Sequence, residues 1–119
     1  MLIAEGSRGV IRFARWSGAR ASISDWNRLD YKVRNKFQVR FQALCEHGSL
    51  PQPEQMRHLD AGIWEFKTKR PAWRISAFRE GGTWFVTHIF RKPSGKKRLS
   101  NEINKAKKAR GEHLESHDA

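Results

Sequence analysis

One stretch constrains the fold of this chain more than any other. From Gly62 to Lys92 it reads GIWEFKTKRPAWRISAFREGGTWFVTHIFRK, three apolar-alternating runs joined by turn-forming residues. In the first run Ile63, Glu65, Lys67 and Lys69 fall on one side, and Trp64, Phe66 and Thr68 on the other. Successive side chains of a β-strand point to opposite faces, so this run has one face to bury and one that carries charge. The second run sets Trp73, Ile75 and Ala77 against Arg74, Ser76 and Phe78. Glu80-Gly81-Gly82 predicts a hairpin turn, because glycine adopts φ > 0 without steric cost. In the third run, Thr83 to Lys92, simple alternation puts Trp84, His88 and Phe90 together and Phe85 with Ile89. The three runs predict an antiparallel meander with a basic, partly aromatic face.

The rest of the chain supplies helices to cover that sheet. Val10 to Ala14 is a short β-prone run. Ser24-Asp25 reads as a helix start, with Trp26 and Leu29 on the buried side. Val33, Phe37, Phe41 and Leu44 then recur at spacings of four, four and three, the stripe of an amphipathic helix that stops at Gly48. Cys45 lies beside that stripe and reads as a core residue. Pro51-Gln52-Pro53 opens a loop that lasts to Gly62, and Lys92 to Arg98 is a basic linker. A last helix is expected from Leu99 to His113, with Ser100 as N-cap and a thin apolar side of Ile103, Ala106 and Leu114. The expected order is β-α-α-β-β-β-α, an α+β domain over residues 1–119, with 1–6 and 112–119 disordered.

Five Trp and seven Phe are too many large aromatics for a disordered chain. A single cysteine excludes an internal disulfide, and no apolar run approaches the roughly 20 residues that span a bilayer, so a cytoplasmic protein without a membrane partner is expected. The net charge is +12, and residues 67–110 hold fourteen Lys and Arg against Glu80 and Glu102 alone. That window accounts for the whole excess. Such a concentration attracts polyphosphate by counterion release, which points to a nucleic acid; a solvated surface or a docking face for an acidic protein are the other readings.

Several residues on the basic face could carry chemistry. Lys67 and Lys69, two apart on one strand, could hold successive phosphates or stabilise an oxyanion, or form a charged outer face. Arg74, inside an apolar strand, suits bidentate phosphate recognition or a pairing with Glu65. His88 is the histidine placed within a predicted element, where it could move a proton or simply pack. His47, His58, His113 and His117 show no metal-ligand spacing. There is no Cys/His cluster, Walker loop, GxSxG or paired-carboxylate motif, which argues against metal hydrolysis, NTPase and glycosidase chemistry. Phe90 could stack a base. Arg79, Arg91, Lys96, Lys97, Arg98, Lys105 and Lys108 are candidate RNA contacts.

Three motifs in order resemble a known family. Gly62-Ile63-Trp64-Glu65, then Trp73-Arg74-Ile75, then His88-Ile89-Phe90-Arg91-Lys92, followed by Glu102-Ile103-Asn104-Lys105-Ala106, are similar to the RelE/ParE toxin superfamily and most of all to its HigB-like, phage-derived branch. The resemblance covers about residues 57–110. It implies a RelE-like fold, two helices packed on one face of a small twisted antiparallel sheet with a basic C-terminal helix. It also implies the toxin of a type II toxin–antitoxin system, a ribosome-dependent mRNA endoribonuclease that acts in the A site. Cleavage would proceed by attack of the ribose 2′-OH, without metal or other cofactor. By the resemblance Lys67 is a base or charge stabiliser, Lys69 a neighbouring cation, Arg74 the arginine on the scissile phosphate and Lys92 a cation ending the last strand. Some members use a C-terminal tyrosine for proton transfer; here the one tyrosine is Tyr31, in a helix, and His88 is the expected replacement. The partner would be an antitoxin, a small helix-turn-helix protein. The alternatives are a ParE-like gyrase inhibitor and a non-catalytic basic RNA- or ribosome-binding module.

Overall fold

The computed structural model describes residues 1–118. The elements are β1 (Leu2–Gly6), β2 (Gly9–Phe13), α1 (Ala19–Arg28), α2 (Tyr31–His47), β3 (Met56–Asp60), β4 (Ile63–Lys67), β5 (Trp73–Glu80), β6 (Thr83–Arg91) and α3 (Lys96–Asp118). The six strands form one sheet in the order β1-β2-β6-β5-β4-β3. Every neighbouring pair is antiparallel except β2 and β6, which run parallel with Val10 opposite Thr83 and Phe13 opposite Val86.

The expected meander is present as β4, β5 and β6, and its alternation divides the two layers of the core. One face carries Phe66, Ile75, Ala77, Trp84, Val86 and Ile89, packed against Trp26, Leu29, Val33, Phe37, Phe41, Leu44 and Cys45 of the α1 and α2 region. The helical stripe is buried because a 3.6-residue period lets four spaced apolar residues meet one flat sheet. Phe41 is its centre, stacked near Phe37 and meeting Phe66 edge-on at 4.9 Å. Helix α2 ends where Gly48 takes φ 87, a left-handed conformation that lets its N–H reach the Leu44 carbonyl at 2.8 Å. The opposite face carries Ile63, Phe78 and Phe85 against Ala106 of α3.

Two strands escaped the sequence reading. Of residues 1–6, expected to be disordered, Leu2–Gly6 form the edge strand β1, with Ile3 and Ala4 buried. Residues 56–60, expected to be loop, form the other edge strand β3. Asp60 and Ile63 are joined by a two-residue turn with φ 47 at Ala61 and φ 82 at Gly62, the twist a tight hairpin needs. Helix α1 begins at Ala19 rather than at Ser24. Helix α3 begins at Lys96, ahead of Ser100, with the Leu99 N–H donating to the Gly95 carbonyl at 3.1 Å. It continues through the tail from Glu112 that was expected to be disordered, as far as Asp118; Ala119 lies outside the described residues.

Helix α3, the expected basic C-terminal helix, lies across the second face of the sheet. Lys107 Nζ reaches Asp60 at 2.8 Å, Arg110 donates to the Ala61 carbonyl, and Glu112 accepts from Ser17. Only the end of that face beyond the first turn of α3 is left open. Among the described residues no helix is long and apolar enough to cross a membrane.

Candidate active site

Cross-strand pairing sets the floor of the open end. Lys67 lies opposite Arg74, and Arg74 opposite Phe90, while Arg57 lies opposite Glu65. Because paired residues point to the same side, Lys67, Arg74, Glu65 and Arg57 all face away from α1 and α2. Lys92, two residues beyond Phe90, follows the same side, and the first turn of α3 brings up Lys96 and Leu99 as a wall. These residues line one cleft of about 350 Å³.

The single carboxylate in the cleft is spoken for. Glu65 is completely buried, with Oε2 2.6 Å from Arg57 and Oε1 3.4 Å from Arg74 Nε. Arg74, itself buried, also donates from Nη1 to the carbonyls of Thr68 and Trp73, each at 3.0 Å. Its fork is therefore fixed in direction before any ligand arrives. Lys67 donates from Nζ to the Pro53 carbonyl at 3.1 Å. Partial burial holds its ammonium below the usual lysine range; Arg74 pushes the same way, with smaller contributions from Arg57 and Lys92, while Glu65 opposes. Cations crowded around one half-buried amine favour its neutral form, which can accept a proton.

Three of the expected four cations thus converge, Lys67, Arg74 and Lys92. Lys69 does not. The chain leaves β4 at Lys67 and bends, with Thr68 Oγ1 bonded to the Pro71 carbonyl at 2.8 Å, so alternation ends one step too early for Lys69 to stay in register. Its exposed side chain lines a separate groove beside α2.

His88 is a correction. It is 2 % exposed and lies beneath α3, with Nε2 2.7 Å from Glu102 and Nδ1 3.0 Å from both the Ser76 and Thr87 hydroxyls. Both ring nitrogens are thereby engaged, and the ring cannot reach a phosphate in the cleft. The register shifts between Ser76 and Ala77, where Thr87 is an extra residue in β6. This bulge moves His88 onto the α3 side with Phe85 and Phe90, and leaves Trp84 on the other side with Val86 and Ile89. Phe90 is likewise buried, its ring stacked on His88 at 5.1 Å, and is not offered to a base.

Burial lowers the His88 pKa, outweighing the Glu102 hydrogen bond and charge that raise it; Lys105 lowers and Asp25 raises it further. The unfolded chain, with a histidine near 6.5, therefore binds this proton more readily than the native protein. Stability should be fully present above that value and fall as pH drops through it toward the native pKa. Urea midpoints measured from pH 7.5 to 5.5 should decline for the native chain and flatten for His88→Gln. A flat native profile over that range would refute the assignment.

The other candidate contacts are scattered. Arg79 is at the opposite end of β5, over the Trp84 ring at 5.6 Å. Arg91 faces the α1 side, its guanidinium 4.4 Å above Trp73. Lys96, Lys97 and Arg98 are exposed at the start of α3, beside the cleft, and Lys105 and Lys108 are exposed further along it. Arg57 was missed because β3 was read as loop; its position facing Glu65 across a hairpin was the available signal. Among the described residues no three His, Cys, Asp or Glu side chains gather as a metal site.

Comparison with known proteins follows the same lines. Residues 24–110 match the family of phage-derived Gp49-like proteins. No curated protein matches the chain. The fold is similar to that of the isolated E. coli RelE toxin in its crystal structure, with a TM-score of 0.50 and 10% identity, over 87% of this chain and 97% of that one.

Proposed function

The chain belongs to the phage-derived Gp49-like family within the RelE-like toxin superfamily, and on that premise we propose that it is the toxin of a type II toxin–antitoxin pair and cuts mRNA on the ribosome. The observation that supports this reading is the convergence of Lys67, Arg74 and Lys92 on one cleft whose lone carboxylate is already paired.

RNA supplies its own nucleophile. Neutral Lys67 takes the proton from the ribose 2′-OH as that oxygen attacks the adjacent phosphorus. Arg74, fixed by Glu65 and two carbonyls, meets the charge that grows on the phosphorane oxygens. The bond from phosphorus to O5′ breaks, and the Lys92 ammonium gives its proton to the leaving oxygen. The products are a 2′,3′-cyclic phosphate and a 5′-hydroxyl. No step uses His88, a metal or a cofactor. The antitoxin, a small helix-turn-helix protein, would act by covering this cleft.

The test is cleavage of a defined mRNA by the purified chain with programmed ribosomes. Fragments ending in 2′,3′-cyclic phosphate, formed with or without chelator, are the expected result. Growth arrest with intact mRNA and accumulating DNA breaks would replace this reading with a gyrase inhibitor. A chain that neither arrests growth nor cuts mRNA would be a basic binding module.

A further inference from the structure

The groove that receives Lys69 is a distinct feature on the α2 side of the β4–β5 turn. Lys36 and Arg40 of α2 face Lys69 and Arg70 of the turn across a space of about 410 Å³, with Glu54 as its carboxylate. Among the described residues none of the four cations has an acid within ion-pair distance. Like charges four apart on a helix, such as Lys36 and Arg40, repel, and the turn adds two more cations to them. A free chain holds this arrangement at a cost that a bound anion removes.

The groove is joined to the cleft through the backbone of one strand end. The Lys67 carbonyl accepts from Arg40 on the groove side, while the next carbonyl, that of Thr68, accepts from Arg74 on the cleft side. Residues that grip the two spaces are therefore locked to adjacent peptide units. We infer that the groove is a second phosphodiester site, which takes RNA backbone while another phosphate occupies the cleft. The choice of RNA as ligand rests on the function proposed above. A folded protein partner fits less well, because no aromatic or aliphatic side chain lines the groove to anchor one. The phosphodiester could belong to the strand being cut or to ribosomal RNA.

The test compares the full chain with Lys36→Ala/Arg70→Ala and with Arg8→Ala/Arg12→Ala, which removes the same charge from the exposed β1–β2 hairpin. Binding of a labelled single-stranded RNA 20-mer, and of ribosomes with a vacant A site, is followed as salt is raised. Each phosphate contact contributes about 0.7 to the slope of log affinity against log salt for single strands. The groove variant should lose about 1.4 from that slope, and the hairpin variant should keep the native value. A loss seen with free RNA assigns the groove to the substrate strand, and a loss seen with ribosomes alone assigns it to ribosomal RNA. An unchanged slope in both arms, with native thermal midpoints, overturns the inference. Cleavage by the native chain is scored separately. Absent cleavage with the slope loss intact sinks the toxin reading and leaves the groove, and normal cleavage with no slope loss does the reverse.

Discussion

Arg74→Ala is expected to reduce ribosome-dependent mRNA cleavage by about 10²–10³-fold, the usual effect of removing one preorganised group that meets developing charge. The side chain also has a structural task, since it faces buried Glu65 at 3.4 Å. Removing one partner of a buried ion pair costs about 3–5 kcal/mol when nothing else compensates the remaining charge. Here Arg57 stays 2.6 Å from Glu65, so the stability loss should fall below that range. Arg74→Lys separates the two roles. It keeps a positive charge near Glu65 but loses the planar fork, so it should recover much of the thermal midpoint and little of the rate. Single-turnover cleavage and thermal denaturation of both variants decide the matter. A folded Arg74→Ala protein that cuts within a few-fold of the native rate would remove Arg74 from the chemistry.

Lys67→Ala should cost about 10²–10⁴-fold, the contribution of a positioned acid or base. Its mark is a pH dependence. Burial and the neighbouring Arg74 lower the Lys67 pKa, so the fraction of neutral amine climbs with pH and does so earlier than for an ordinary lysine. The cleavage rate between pH 6 and 9 should climb with it. Lys67→Arg keeps the charge throughout that range but offers no neutral form, so its residual rate should lose the dependence while RNA affinity is retained. A Lys67→Arg protein whose rate still rises with pH as the native rate does would exclude Lys67 as the base.

The parts of this fold visible in the sequence are those governed by local period. The meander showed itself through alternation about Lys67, Arg74 and Ala77, and α2 through the spacing from Val33 to Leu44. The misses have non-local causes. Leu2–Gly6 and Met56–Asp60 are short edge strands, and their pairing partners, more than their own composition, make them strands. Alternation counted through β6 assigned His88 the wrong neighbours because a bulge adds Thr87 without any signal in side-chain type. The burial of His88 involves Glu102, which arrives from a separate helix whose position on the sheet no local pattern reveals. Lys69 left the site because a strand can end between two residues of the same parity.

The parallel pairing of β2 with β6 bears on when the protein can work. Val10 meets Thr83, so the β1–β2 hairpin can pack on α2 but has no neighbouring strand on its β2 side until β6 has been made. Closing a loop of that length is slow relative to forming the local hairpins. The cleft wall comes later still, with Lys96 and Leu99. A nascent chain halted before Lys96 is consequently without the finished cleft, and one halted before β6 lacks the strand that joins the two halves of the sheet.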